Sequence, residues 1–295
     1  MDQRIINLFD EYTHNRIDGP PLRRDEFLKR LASLTGSVAA AMAVLPLLEV
    51  NYAQAATVTD QDNRIKTESI TFPGADTTMK GYLARPAAAG KYPAVVVIHE
   101  NRGLNPHIED VARRVALAGF VALAPDALSA AGGTPTDDRN VGPDQMRELF
   151  GKLDATVTRN NFVKAVEYLK TRPDSTGKVG CVGFCWGGAM SNQLAIYAPD
   201  LKSAVPFYGR QPDAADVPKI KAALQLHYGG LDERVNAGIP AYEEALKKAG
   251  VAYELFTYDG AQHAFHNDTA PTRYNEAAAK LAWERTITFL KQKLA

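Results

Sequence analysis

Residues 178–190 read KVGCVGFCWGGAM, an apolar segment of β character that runs straight into a glycine pair. Its centre, Gly183-Phe184-Cys185-Trp186-Gly187, has the spacing of a G-x-S-x-G nucleophile elbow with cysteine in the serine position. Such an elbow is a sharp strand-to-helix turn. It holds the central residue in a strained conformation and needs small residues two positions away on each side. Gly183 and Gly187 meet that need. A helix starting at Trp186 aims its unpaired N–H groups and the positive end of its dipole at the Cys185 sulfur, which favours thiolate. The Trp186 backbone N–H is then placed as one donor of an oxyanion hole. The competing reading is a small buried cysteine between glycines, which is common for a free thiol. Cys181, mid-strand and without the glycines, reads as core.

Outward from the elbow the chain alternates strand and helix. TESITF (67–72) and KGYLARP (80–86) read as an antiparallel pair of opening strands. AVVVIHE (94–100) is a continuous apolar run, as expected for a strand buried on both faces. Ile108, Val111, Ala112, Val115 and Ala116 recur at helical spacing, VALAPD follows as a short strand, and Asp126 at its end reads as a turn residue. Residues 127–144 read as a surface loop, and Phe162, Ala165, Val166 and Leu169 form the apolar face of another helix. After the elbow come the helix WGGAMSNQLAIYA, the strands SAVPFYG, ALQLHYGG and AYELFTYDG, and a final amphipathic helix from about Thr272 to Leu294. Alternation over roughly 230 residues predicts an α/β fold with a mostly parallel central sheet and helices on both faces.

In such folds an elbow nucleophile is followed in chain order by an acid and then a histidine, each on a loop after a later strand. Asp232 lies 47 residues after Cys185 in GGLDERV, and His263 lies 31 residues further on in GAQHAFHN. Both loops leave the carboxyl ends of strands, the edge at which open α/β sheets carry their sites. Glu233 reads as a solvated surface charge, His266 as the second choice of base, His227 as a core histidine, and His99 as facing away from Glu100.

The 34 basic and 34 acidic residues cancel, so no global field draws the chain to nucleic acid or an anionic membrane, and a small molecule is the expected partner. The two cysteines supply no disulfide framework and, with no histidine near them in sequence, no zinc site. No metal or cofactor is expected.

Residues 1–60 differ from the remaining 61–295, which read as the catalytic domain. A polar, charged lead, the apolar LASLTGSVAAAMAVLPLLEV and an A-x-A pattern at Ala53 to Ala55 read in that order as an export signal. Arg23-Arg24 before DEFLKR resembles a twin-arginine signal to the periplasm, with one residue too many before the phenylalanine. The alternative is a helical arm on a cytoplasmic protein. Pro46 and Glu49 interrupt the apolar run, so no stable membrane span is expected.

Over about residues 65–295 the sequence resembles the dienelactone hydrolases of the α/β-hydrolase superfamily, on HENRGLN, GFCWGGA, GGLDERV and GAQHAFHN. It looks close to members that carry an N-terminal extension. The resemblance implies a triad of Cys185, His263 and Asp232 that cleaves a lactone or carboxylic ester through an acyl-enzyme. It also implies that Glu100 contacts the resting thiol until substrate displaces it, and that the Asn101 backbone N–H is the second oxyanion donor. A carboxylate beside a thiol disfavours a second negative charge and keeps the sulfur protonated. Arg102 is a candidate partner for the displaced carboxylate. The family holds the substrate carboxylate with arginines, one of them four residues after the histidine, where this chain has Asn267. The candidate substrate-binding residues are thus Arg102, Arg210 and Asn267, with Arg273 and Arg147 as further substitutes. A general carboxylesterase or thioesterase, or a non-catalytic binding protein on the same scaffold, are the alternatives.

Overall fold

A computed structural model describes residues 1–14, 22–50, 57–135 and 141–295. Three helices come first: α1 (Gln3–Thr13), α2 (Arg24–Thr35) and α3 (Val38–Leu48). Then follow β1 (Ile65–Pro73), β2 (Thr78–Pro86), β3 (Tyr92–Ile98), α4 (Pro106–Leu117), β4 (Val121–Pro125), α5 (Pro143–Gly151), α6 (Ala155–Thr171), β5 (Ser175–Phe184) and α7 (Trp186–Tyr197). The chain continues through β6 (Ser203–Phe207), β7 (Ala223–Gly229), α8 (Glu233–Asn236), α9 (Ile239–Ala249), β8 (Tyr253–Tyr258) and α10 (Glu276–Leu294).

The strands form one sheet in the order β1-β2-β4-β3-β5-β6-β7-β8. β2 pairs antiparallel with both β1 and β4, whereas β3 to β8 are joined by parallel pairs. The apolar run at 94–98 shows why both faces need cover. Ala94, Val96 and Ile98 enter one core cluster, and Val95 and Val97 enter the other, because successive side chains of a strand point to opposite faces. Phe162, Ala165 and Leu169 of α6 and Leu194 of α7 close the first cluster. Ile108, Val111 and Val115 of α4 and Ala282 and Phe289 of α10 close the second. The order β4-β3-β5 reverses the direction of winding. The crevice beyond the carboxyl ends of β3 and β5 is therefore the topological switch point, where such sheets bind ligands.

Two expectations shift. The last helix begins at Glu276 rather than near Thr272, because the Asn275 side chain caps the Ala278 N–H, while Arg273 and Tyr274 close a turn on the Ala270 carbonyl. Within the segment read as a loop, residues 129–131 make a 3-10 turn and Asp126 accepts from the Leu128 and Thr134 N–H groups, as a turn residue does. The A-x-A pattern at 53–55 lies outside the described residues. No single helix among them is long and apolar enough to cross a membrane; α2 and α3 reach that composition only together, across a bend of 108°.

Glycine at the elbow is required by space. A Cβ on Gly187 would stand 2.3 Å from the Ile98 carbonyl oxygen and one on Gly183 would stand 2.1 Å from the Gly187 oxygen, and both obstacles are backbone. Gly187→Ala is therefore expected to destabilise the fold by about 1–3 kcal/mol or more, read as a lower urea midpoint with an unchanged slope.

Candidate active site

Cys185 sits between the last residue of β5 and the first of α7 with φ 55° and ψ −111°, the strained conformation an elbow demands. Tyr208 (φ 38°), which follows β6, and Ala264 (φ 62°), next to His263, are the other non-glycine residues with positive φ among those described. α7 starts directly on Cys185 with no side-chain cap, which leaves the positive end of its dipole at the elbow. Cys181 is fully buried in the core and its thiol is pushed up to about 12 by burial.

The two predicted partners converge on Cys185. His263 Nδ1–H donates to Asp232 Oδ2 at 2.5 Å, both residues are buried, and Asp232 also caps α8 by accepting from the Val235 N–H. His263 Nε2 is buried with no hydrogen-bond partner among the described residues and lies within 4.8 Å of Cys185 Sγ. Burial opposes an imidazolium here. The negative charges of Asp232 and the Cys185 sulfur outweigh it and lift His263 to about 10. Asp232 is likewise penalised by burial, but His263 holds it below its ordinary value.

Among the described residues, the hydrogen-bond partner of the thiol is one the sequence reading does not weigh. His14 Nε2 lies 3.1 Å from Sγ, and its ring packs edge-on to His263 with centroids 4.9 Å apart. His14 Nδ1 is 3.0 Å from the Asp10 carbonyl, which can only accept, so the proton is on Nδ1 and Nε2 is a bare acceptor. As a thiol, Cys185 therefore donates to His14. As a thiolate, it pairs with His263. Burial, reinforced by the charges of His263, Arg234 and Arg273, pushes His14 well below the ordinary histidine range, so it stays neutral.

His14 is delivered by α1, whose Ile5, Leu8, Phe9 and Tyr12 pack with Phe27 and Leu31 of α2 in a third core cluster. Polar tethers fix the helix beside the site. Gln3 donates to Gln262 at 2.7 Å, Tyr12 to Asp144 at 2.8 Å, and Asn101 Nδ2 to the Thr13 carbonyl at 3.0 Å. Arg147 donates to the Tyr12 and Leu22 carbonyls, and Arg273 pairs with Asp10 at 3.2 Å beneath the Phe9 ring. Both arginines offered above as further substitutes for a carboxylate anchor are thus committed to α1.

Glu100 follows β3 and faces the site, but its contacts correct the expectation. Asn267 Nδ2 donates to Oε2 at 2.7 Å and the Tyr208 hydroxyl to Oε1 at 3.4 Å, while the thiol bonds to His14. The carboxylate is held by Asn267 rather than by Arg102, so Asn267 anchors Glu100 and is not free to bind substrate. Thr269 fixes the other end of that amide through its N–H and hydroxyl. Burial and the Glu100 charge push the Tyr208 phenol well above its ordinary value, which keeps it a donor.

A cavity of about 290 Å³ opens over Cys185 and His263. Asn101, Arg102, Trp186 and Arg210 line it, and so does Arg234, which the sequence reading does not weigh. Arg234 Nε and Nη2 are buried without a hydrogen-bond partner. Trp186 stacks on His99 at 5.3 Å and packs edge-on to Phe150, which also lines the cavity, and to the core residue Phe162. The structure does not bring His266 to the thiol: it packs between Phe184 and Trp283, and burial pushes it well below the ordinary range. His227 is a core residue bonded to Tyr258 and Gln225, as expected.

Comparison with known proteins places the chain. A "putative carboxymethylenebutenolidase" of Synechocystis sp. is 33% identical over 243 residues, covering 78% of this chain and 98% of its own. The crystal structure of a "putative dienelactone hydrolase" from Klebsiella pneumoniae superimposes with a TM-score of 0.71 at 28% identity, covering 78% of this chain and all of the other. Dienelactone hydrolase from Anabaena variabilis shares the fold with a TM-score of 0.58 at 23% identity, over 79% of this chain and all of its own. Residues 79–294 match the sequence profile of the dienelactone hydrolase family. With that match spanning β3 to β8, the elbow and the loops that carry Asp232 and His263, the chain belongs to the dienelactone hydrolase family.

Proposed function

We propose that the protein is a cysteine hydrolase that cleaves a lactone or carboxylic ester through an acyl-enzyme on Cys185. The observation that carries this reading is the buried, unpartnered Nε2 of His263 beside the elbow sulfur, with Nδ1–H fixed on Asp232 at 2.5 Å. Substrate entering the cavity takes the place of the His14 ring, and the thiol proton passes to His263. The sulfur attacks the carbonyl carbon, and the Trp186 and Asn101 backbone N–H groups stabilise the oxyanion. His263 returns the proton to the leaving oxygen. In the second half it takes a proton from the water that frees the acid and restores the thiol. Rapid quench of the protein with an activated aryl ester, followed by peptide mass spectrometry, is expected to find the acyl group on the peptide carrying Cys185. Turnover with acylation elsewhere would sink the assignment.

The reading extends to an anionic substrate through Arg234, whose unpartnered guanidinium nitrogens line the cavity. A charge-assisted hydrogen bond contributes about 1.5–3 kcal/mol, so Arg234→Met is expected to lower kcat/KM for a carboxylate-bearing lactone by roughly 10–100-fold. A neutral aryl ester should change little. Equal losses on both substrates would exclude carboxylate recognition by Arg234 and favour a general carboxylesterase, the reading that the engagement of Arg147, Arg273 and Asn267 elsewhere also supports.

A further inference from the structure

We propose that His14 Nε2, Cys185 Sγ and His263 Nε2 form a binding site for a thiophilic divalent cation of the Zn²⁺ type. The three atoms lie within 4.8 Å of one another, and ligand atoms around a tetrahedral zinc ion stand about 3.5 Å apart. Closing those separations by up to about 1.3 Å completes the set. One thiolate and two imidazoles are a soft, zinc-like donor combination.

The shell around the donors supports the same conclusion independently. A ligating histidine almost always donates its second ring N–H to a carboxylate or backbone carbonyl, which leaves the other nitrogen bare for the metal. Both histidines meet this condition: His263 Nδ1–H donates to Asp232 and His14 Nδ1–H to the Asp10 carbonyl. His263 Nε2 is buried with no hydrogen-bond partner among the described residues, and His263 groups with His14 and Cys185 within ligand reach. Arg234 and Arg273 stand close enough to disfavour positive charge at His14. The Asp232 carboxylate and the thiolate supply two negative charges against them. The thiol and His263 Nε2 hold one exchangeable proton between them. On coordination it leaves to solvent as the Sγ–metal and the two Nε2–metal bonds form, and a water completes the fourth position from the cavity.

Such a site goes beyond the proposed hydrolysis, because the ion occupies the nucleophile and base together and clasps α1 to the catalytic edge. It is read without turnover. The full chain is titrated with Zn²⁺ by calorimetry and with Co²⁺ by absorbance, expecting one ion per chain and a thiolate-to-cobalt charge-transfer band. His14→Ala should weaken Zn²⁺ binding by at least the roughly 10–100-fold that loss of an outer-shell partner costs. His14→Gln, closer in size, repeats the test should the alanine variant misfold. Cys185→Ser should lose the band. In a parallel measurement, Zn²⁺ should slow iodoacetamide alkylation of Cys185 in the wild type and not in His14→Ala. Absence of one-to-one uptake, uptake indifferent to residue 14, or a cobalt spectrum without the thiolate band would each overturn the site. An inactive protein that binds Zn²⁺ leaves this proposal standing while the hydrolase reading falls, and an active hydrolase that ignores Zn²⁺ does the reverse.

Discussion

Cys185→Ala is expected to lower kcat/KM on the best aryl ester or lactone by about 10,000-fold or more, the scale on which a lone nucleophile's removal is felt. The loss is large because the remaining groups, His263 and the N–H donors, only assist a bond that the sulfur must form. Residual turnover from bound water and the oxyanion donors sets the floor. The fold should survive, since alanine is smaller than cysteine and the elbow's spatial demands fall on Gly183 and Gly187. Unchanged thermal unfolding alongside lost activity is the diagnostic pair. Retention of more than a few per cent of wild-type kcat would show that another residue attacks.

Asp232→Asn is the second large effect, expected at roughly 1,000–10,000-fold in kcat. The carboxylate holds the Nδ1–H tautomer of His263 through the 2.5 Å bond and stabilises the imidazolium that forms when the thiol proton arrives. An amide of the same shape loses the charge, and if its NH₂ faces the ring it imposes the opposite tautomer, with the proton on the nitrogen that must accept. The pH profile gives a second readout. With the sulfur charged, His263 keeps its proton up to about 10, so the thiolate–imidazolium pair persists through neutral pH and is lost along an alkaline limb as pH rises past that point. Without the Asp232 charge that alkaline limb should move toward the ordinary histidine value. A limb that stays in place would mean that His263 is not the titrating group.

How much of this was legible follows from the kind of interaction involved. β3, β5 and the helices α4 and α7 announce themselves in local periodicity. The elbow does so through two glycines whose absent side chains leave room for specific carbonyls. Chain order alone was enough to nominate Asp232 and His263. The contacts of Glu100 were not legible. Whether its carboxylate lies on the thiol or on Asn267 depends on which loop reaches it, and that is a tertiary fact. α1 shows the same limit from the other side. The spacing of Ile5, Leu8, Phe9 and Tyr12 is that of an amphipathic helix and could have been read. That the turn after it sets His14 against a sulfur 171 residues away has no local signature. Arg234, following an acidic pair, carries no local mark of a buried position, and only burial without a partner sets it apart.

The backbone angles at Cys185, Tyr208 and Ala264 bear on how this protein responds to selection for heat resistance. Each holds a left-handed conformation that an L side chain resists, at a cost of order 1–3 kcal/mol, and all three adjoin the reacting centre. Glycine at 264 would relieve one of these strains, yet it would also free the peptide that aims the His263 ring. Variants that gain melting temperature at these positions should therefore lose turnover, whereas gains made on the exposed face of α10 or in the β1–β2 hairpin should leave it intact. The catalytic edge is where thermal ruggedness and speed compete, and the far edge of the sheet is where an engineer has latitude.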